Sequence, residues 1–323
     1  MLVIVSGVIA GSTRGNLAFM VSPLATDNAP FGRVLVAMVT PFTKDGAVDL
    51  ETVGHIARYL VDLGADGIVV SGTTGEAPTT SVAEDREILA AIVAAVGDRA
   101  SVIAGVGTND TRHSIALAKN AVKVGADGLL IVTPYYSKPS QSGIIKHFEA
   151  VCDAGSPLPA MLYDIPGRTG MQLSVETLHT LAKNPAIVAL KDATGDLDRG
   201  AWLMKETNLA LYSGDDAINL PWLAIGAVGV VSVVGHVAAG KYAEMVRAVD
   251  SGDLARARSI HHELLPAVRA MMSIVQGAVS SKAALQLLGV TPNREVRAPL
   301  VPATDAEVEQ IAAGLAAAGF TRS

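Results

Sequence analysis

A single cysteine, Cys152, occurs in 323 residues, so no disulfide can form within the chain and nothing in the covalent framework points to secretion. Basic runs are also missing: 25 Lys and Arg stand against 31 Asp and Glu, a net charge of −6. With a pI near 5.6, the chain lacks the electrostatic footprint that nucleic-acid backbones and anionic lipid surfaces select, and neither is an expected partner. Charged residues make up only 17% against 50% hydrophobic, which excludes disorder for most of the length. The seven histidines are scattered apart from His261-His262-Glu263, where neighbouring helical side chains diverge by about 100°. That is poor geometry for a shared ion, so no metal set is expected. No GxGxxG turn follows the first apolar run, which argues against an open dinucleotide-binding sheet. Cys152 reads as a small buried helical residue rather than a nucleophile.

Mean hydropathy is high, +0.39, and two stretches invite a membrane reading. Residues 217–240 contain no Asp, Glu, Lys or Arg, long enough to cross a bilayer. Asn219, Pro221, Gly226, Gly229, Ser232, Gly235 and His236 punctuate that stretch, so it divides into a short buried helix, a turn and a buried strand. Residues 2–10, LVIVSGVIA, resemble the core of a signal peptide, but no Lys or Arg precedes them. Residues 1–33 are therefore expected to be a disordered extension or the product of a start codon assigned too early, with folded sequence beginning near Val34. A cytoplasmic enzyme is the expectation.

Eight apolar runs bounded by turn residues follow, at 34–40, 67–71, 101–107, 128–133, 159–165, 186–191, 209–213 and 229–234. Their spacing averages about 28 residues, the length of a strand, a helix and two loops. Between them lie amphipathic stretches such as 49–64 and 110–125, with Asp49 and Asp110 placed as N-caps and Gly64 and Gly125 as stops. An internal echo, VDLGADGIVV and VKVGADGLLI, repeats after 61 residues, about two strand–helix units. Eight parallel strands with eight crossovers predict an α/β fold, a (β/α)8 TIM barrel. The pattern beyond Gly240 is helical, near 240–250, 253–275, 277–288 and 305–318. The chain divides accordingly into a barrel over 34–250 and a C-terminal all-helical region over 251–323.

Barrels of this kind place chemistry at the carboxyl ends of their strands. One residue there stands out: Lys191 ends the apolar run AIVAL. Burial disfavours the ammonium form and lowers the pKa, the condition under which lysine attacks a carbonyl to form an imine. A lysine reaching outward to Asp192 or Asp215 is the alternative. Tyr163 ends the preceding strand and is placed to shuttle protons, or simply to pack. The Gly72-Thr73-Thr74-Gly75 turn offers hydroxyls and N–H groups to a carboxylate, or is only a strand-to-helix turn. Arg168, in IPGRTG, offers a fork for a second carboxylate, or is a solvated loop residue.

Together these segments are more specific than any one of them. The motifs AMVTPF (37–42), GTTGE (72–76), VTPYY (132–136), YDIPGRTG (163–170), LKDATGD (190–196), SGDD (213–216) and GVVSV (229–233) make the chain resemble the dihydrodipicolinate synthase family of pyruvate-dependent class I aldolases, from about Val34 to the C-terminus. The resemblance implies a lyase that condenses pyruvate with L-aspartate-4-semialdehyde in the diaminopimelate and lysine branch, without metal or organic cofactor. It implies that Lys191 forms the imine, that Tyr163 donates and accepts protons, and that Thr73 and Tyr136 complete a hydroxyl relay. Thr73 and Thr74 match hydroxyls that face the pyruvate carboxylate, and Arg168 matches the arginine that receives the semialdehyde carboxylate. Gly214 and Val231, in SGDD and GVVSV, match further substrate-binding positions. Tyr136 matches a residue that enters the neighbouring subunit's site, so the resemblance also implies a homotetramer built as a dimer of dimers.

Sialic acid and sugar-acid lyases of the same superfamily typically carry a Ser-Thr pair in the glycine turn and lack the arginine, so Thr73-Thr74 with Arg168 favours the synthase. A non-catalytic metabolite-binding barrel is the other alternative, against which a retained nucleophile and relay argue. Some synthases are inhibited by lysine through a histidine and a glutamate at a dimer interface; Asp85 and His113 stand at the matching positions, beside Asn109 and Tyr135. Replacing the glutamate with histidine implies a weakened ammonium site and low lysine sensitivity.

Overall fold

The computed structural model describes residues 29–322. Residues 1–28, most of the expected extension, lie outside the described residues. The eight apolar runs form β1 (Val34–Ala37), β2 (Gly67–Val70), β3 (Ser101–Gly105), β4 (Gly128–Val132), β5 (Ala160–Asp164), β6 (Ile187–Asp192), β7 (Ala210–Ser213) and β8 (Gly229–Ser232). All pair in parallel, each with its sequence neighbours, and β1 pairs with β8 to close the barrel. The crossover helices are α1 (Leu50–Asp62), α2 (Val82–Val96), α3 (Thr111–Val124), α4 (Gln141–Ala154), the single turn α5 (Pro166–Thr169), α6 (Val175–Leu181), α7 (Leu197–Glu206) and α8 (Asn219–Ile225). After β8 come α9 (Gly235–Asp250), α10 (Leu254–Met272), α11 (Gly277–Leu287) and α12 (Asp305–Ala317).

The expected helix signals act as read. Asp49 accepts from the Thr52 N–H at 3.0 Å and Asp110 from the Arg112 N–H at 2.9 Å. Gly125 ends α3 with φ +88°, a conformation that favours glycine. The charge-free stretch 217–240 splits into a short 3-10 turn, α8, β8 and the start of α9. Among the described residues no helix is long and apolar enough to cross a membrane.

Strand alternation sorts side chains into two cores. Outward residues such as Val36, Ile68, Ile131 and Leu162 pack under the helices, whereas Leu35, Val69, Ile103, Leu130, Met161, Ala189 and Val231 fill the barrel. Phe31 is buried in that interior too, so packed structure begins three residues ahead of the expected start at Val34. The Tyr212 hydroxyl beside it donates to the Gly32 carbonyl at 2.9 Å. α10 packs against both α9 and α12, and α11 sends Lys282 back to the barrel, where it pairs with Glu76.

Candidate active site

Tyr163 and Lys191 are register partners on β5 and β6. Two-residue alternation places them on the inward face with Met161 and Ala189. Lys191 is only 5% exposed, and its Nζ lies 4.1 Å from the centre of the Tyr163 ring. Burial lowers its pKa from 10.5 to about 8; the Asp216 carboxylate pulls it up and the Arg168 cation pushes it down. Burial likewise pushes Tyr163 up to about 12, opposed by Arg168 and a hydrogen bond with Thr73. The outward alternative for Lys191 is not taken: Asp192 pairs with Arg199.

The two groups are thus tuned in opposite directions. The amine is brought toward neutrality, where it can attack a carbonyl, and the phenol is kept protonated, able to give a proton and take it back. Gly214 makes room for the arrangement, because a Cβ there would come within 3.0 Å of Lys191 Cε and of the Asp192 carbonyl oxygen. Its contribution is close approach rather than a side chain. Val231 lies in the barrel interior with Tyr163, and Thr74 is buried in the glycine turn.

Beside this pair opens a cavity of about 880 Å³, whose wall includes Thr73, Tyr136, Tyr163 and Arg168 together with Asn109 and His113. Lys191, Thr74, Gly214 and Val231 do not form its wall. Four of the expected site residues therefore share one cavity, and Lys191 stands behind it against the Tyr163 ring. Tyr136 is 87% exposed with φ +72°, a left-handed backbone in which a bulky residue is rare. Asp85 also borders the cavity; burial raises its pKa, against a hydrogen bond from Thr80.

Other residues at the strand ends, to which the motif reading gives no role, support the site from behind. Glu76, with φ +58°, is buried at the end of the glycine turn; it pairs with Lys282 and accepts the Arg297 N–H at 2.9 Å. The Thr40 hydroxyl donates to the Gly75 carbonyl at 2.7 Å, fixing the turn from β1. Asp216 accepts the Val233 and Val234 N–H groups at 2.8 and 3.0 Å, as well as the Ser232 hydroxyl. His236 is buried and neutral in role: Nε2 accepts the Val39 N–H at 3.1 Å while Nδ1 donates to the Val233 carbonyl at 2.7 Å. His261 and His262, by contrast, lie on α10, where Glu263 pairs with Lys241 and Arg256. Among the described residues no group of His, Cys, Asp and Glu is arranged to hold a metal. Cys152 is buried, and its thiol is pushed up to about 12 by burial.

The model of the Dihydrodipicolinate synthetase family matches residues 30–318. A 4-hydroxy-tetrahydrodipicolinate synthase of Kineococcus radiotolerans is 58% identical over 291 residues, 90% of this chain and 94% of that protein. One from Streptomyces coelicolor is 55% identical over 298 residues, 92% of this chain and 99% of the relative. Among solved structures, the lysine-bound enzyme of Cyanidioschyzon merolae superposes with a TM-score of 0.87 at 42% identity, covering 90% of this chain and 99% of that one. The pyruvate complex of the Acinetobacter baumannii enzyme gives 0.85 at 36% identity, covering 89% and 99%. With nearly the whole barrel and helical region matched in both sequence and shape, the chain belongs to the dihydrodipicolinate synthetase family.

Proposed function

We propose that this protein is a lyase that condenses pyruvate with L-aspartate-4-semialdehyde to (4S)-4-hydroxy-2,3,4,5-tetrahydrodipicolinate, the first committed step toward diaminopimelate and lysine. The observation that carries this reading is the buried Lys191 amine against the Tyr163 phenol on adjacent strands. The neutral amine adds to the pyruvate C2 carbonyl, and Tyr163 gives the proton that lets water leave. The resulting imine draws electrons from C3, Tyr163 takes part in that proton transfer, and the enamine carbon attacks the aldehyde. The amine of the semialdehyde then closes on C2, displacing Lys191 and forming the ring.

Thr73 and Tyr136 extend the relay from Tyr163. Thr73 and Thr74 face the pyruvate carboxylate, with Gly214 and Val231 shaping its seat, and Arg168 receives the semialdehyde carboxylate as a two-point fork. The Thr-Thr pair with Arg168 separates this reading from sugar-acid and sialic acid lyases. Residues 34–250 act as the catalytic barrel and 251–323 as a helical region bracing it. The working form is a cytoplasmic homotetramer in which Tyr136 reaches the neighbouring subunit's site; the ring's exposure and its left-handed backbone support that assignment.

The test is incubation with pyruvate, borohydride reduction and peptide mass mapping. A reduced adduct on Lys191 alone is expected; a folded protein without one overturns the reading. Lysine inhibits weakly, since Asp85 and His113 replace the histidine and glutamate of the sensitive site. Half-inhibition at sub-millimolar lysine in a steady-state assay contradicts that.

A further inference from the structure

One side chain outside the cavity braces three parts of the proposed machinery at once. Arg199 lies buried in the first turn of α7. Its Nη2 donates to Asp164 Oδ2 at 2.8 Å and to Asp192 Oδ2 at 3.2 Å. These carboxylates are fully buried register partners, each one residue beyond Tyr163 and Lys191. Alternation turns them to the outer face of the barrel wall while the tyrosine and lysine face in. Each carboxylate also holds a loop. Asp164 Oδ2 accepts the Leu173 N–H at 3.2 Å, closing the segment that carries Arg168. Asp192 Oδ1 accepts the Thr194 N–H at 2.8 Å and its hydroxyl at 2.6 Å, fixing the turn after β6. That turn leads into α7, where Asp196 accepts the Arg199 N–H at 2.9 Å.

Two carboxylates side by side in a water-poor site repel unless one takes a proton or a cation lies between them. Without the guanidinium the two carboxylates either push the ends of β5 and β6 apart or take up a proton between them, and in both cases their separation changes and the inward pair moves with it. We propose that Arg199 is a positioning residue for the reaction: by tying Asp164 to Asp192 it sets the separation of Lys191 and Tyr163 and seats the Arg168 loop. This rests on the Schiff-base reading above. Lysine at this position keeps the charge but carries it on a flexible stem, without the planar, rigid group that holds Nη2 between the two carboxylates.

The test compares the full-length wild type with Arg199→Lys and Arg199→Gln, measuring kcat, KM for each substrate, the pH dependence of borohydride trapping and the thermal midpoint. The expected result for folded Arg199→Lys is a kcat lowered about tenfold, a raised KM for the semialdehyde and a displaced pH midpoint of trapping. Arg199→Gln loses more than Arg199→Lys. A folded Arg199→Lys with an altered thermal midpoint but unchanged kcat, KM values and pH profile overturns the proposal and leaves Arg199 a stabilising residue only. A wild type that takes up no pyruvyl adduct overturns the underlying reaction instead, so the two failures are distinguishable.

Discussion

A buried lysine with its pKa lowered from 10.5 to about 8 holds roughly a tenth of its population as free amine at pH 7, against about one in three thousand at the ordinary value. Imine formation is therefore expected to quicken as pH rises, with its midpoint near 8 and a plateau above it, measured as the initial rate of pyruvate trapping. Tyr163, pushed up to about 12, remains a phenol across that range. Tyr163→Phe keeps the ring against Lys191 and removes the proton, so kcat should fall by about a hundredfold or more. Trapping of pyruvate should slow as well. Lys191 was legible because a charge at the end of AIVAL contradicts the run it ends. Arg199 was not: in LDRGAWLMKE it reads as one of several polar residues on an amphipathic helix, and only the register of β5 and β6 puts two carboxylates beside it.

Among the elements, the glycine turn after β2 depends on α11, 206 residues away through Glu76 and Lys282. Removing one partner of a buried pair strands the other charge and typically costs about 3–5 kcal/mol. Lys282→Met is expected to be destabilised by that amount in urea unfolding, and Glu76→Gln combined with Lys282→Met should recover most of it. The eight strands and the four helices after β8 could be read from apolar runs and turn residues, because both signals are local. The one-turn helix α5 at Pro166–Thr169 was not anticipated, being too short to show a period. Nor was the Glu76–Lys282 pair, since nothing in either neighbourhood indicates a partner so far along the chain. Thr74, Gly214 and Val231, like Lys191, are absent from the cavity wall, a distinction between lining and backing residues that depends on which way each strand end turns.

For the whole molecule, stability should fall on acidification. His236, fully enclosed between Val39 and Val233, has its pKa lowered by burial from 6.5 to about 4, and burial does the same to His147. Below pH 6.5 the unfolded chain takes up protons that the folded chain refuses until about pH 4, so this stabilisation is lost across that window. Asp164 acts oppositely. Burial raises it from 3.8 to about 6, so protonation in the folded state offsets part of the loss. Thermal midpoints measured from pH 7 to 4 should decline, and His236→Gln, which can still accept from Val39 and donate to Val233, should flatten the decline.

The closed barrel also bears on how the chain can change length over evolution. Each strand is held in register by two neighbours, and successive residues face opposite sides. A substitution in β6 alters one side chain, whereas inserting one residue before Lys191 exchanges the faces of everything after it. The ammonium would then point into the helical shell and the carboxylate of Asp192 into the barrel. Insertions and deletions are thus confined to the loops and to the start of β6, where Ile187–Ala189 already advances two residues against Ala160–Met161 of β5, while the spacing of residues 189–192 tolerates none.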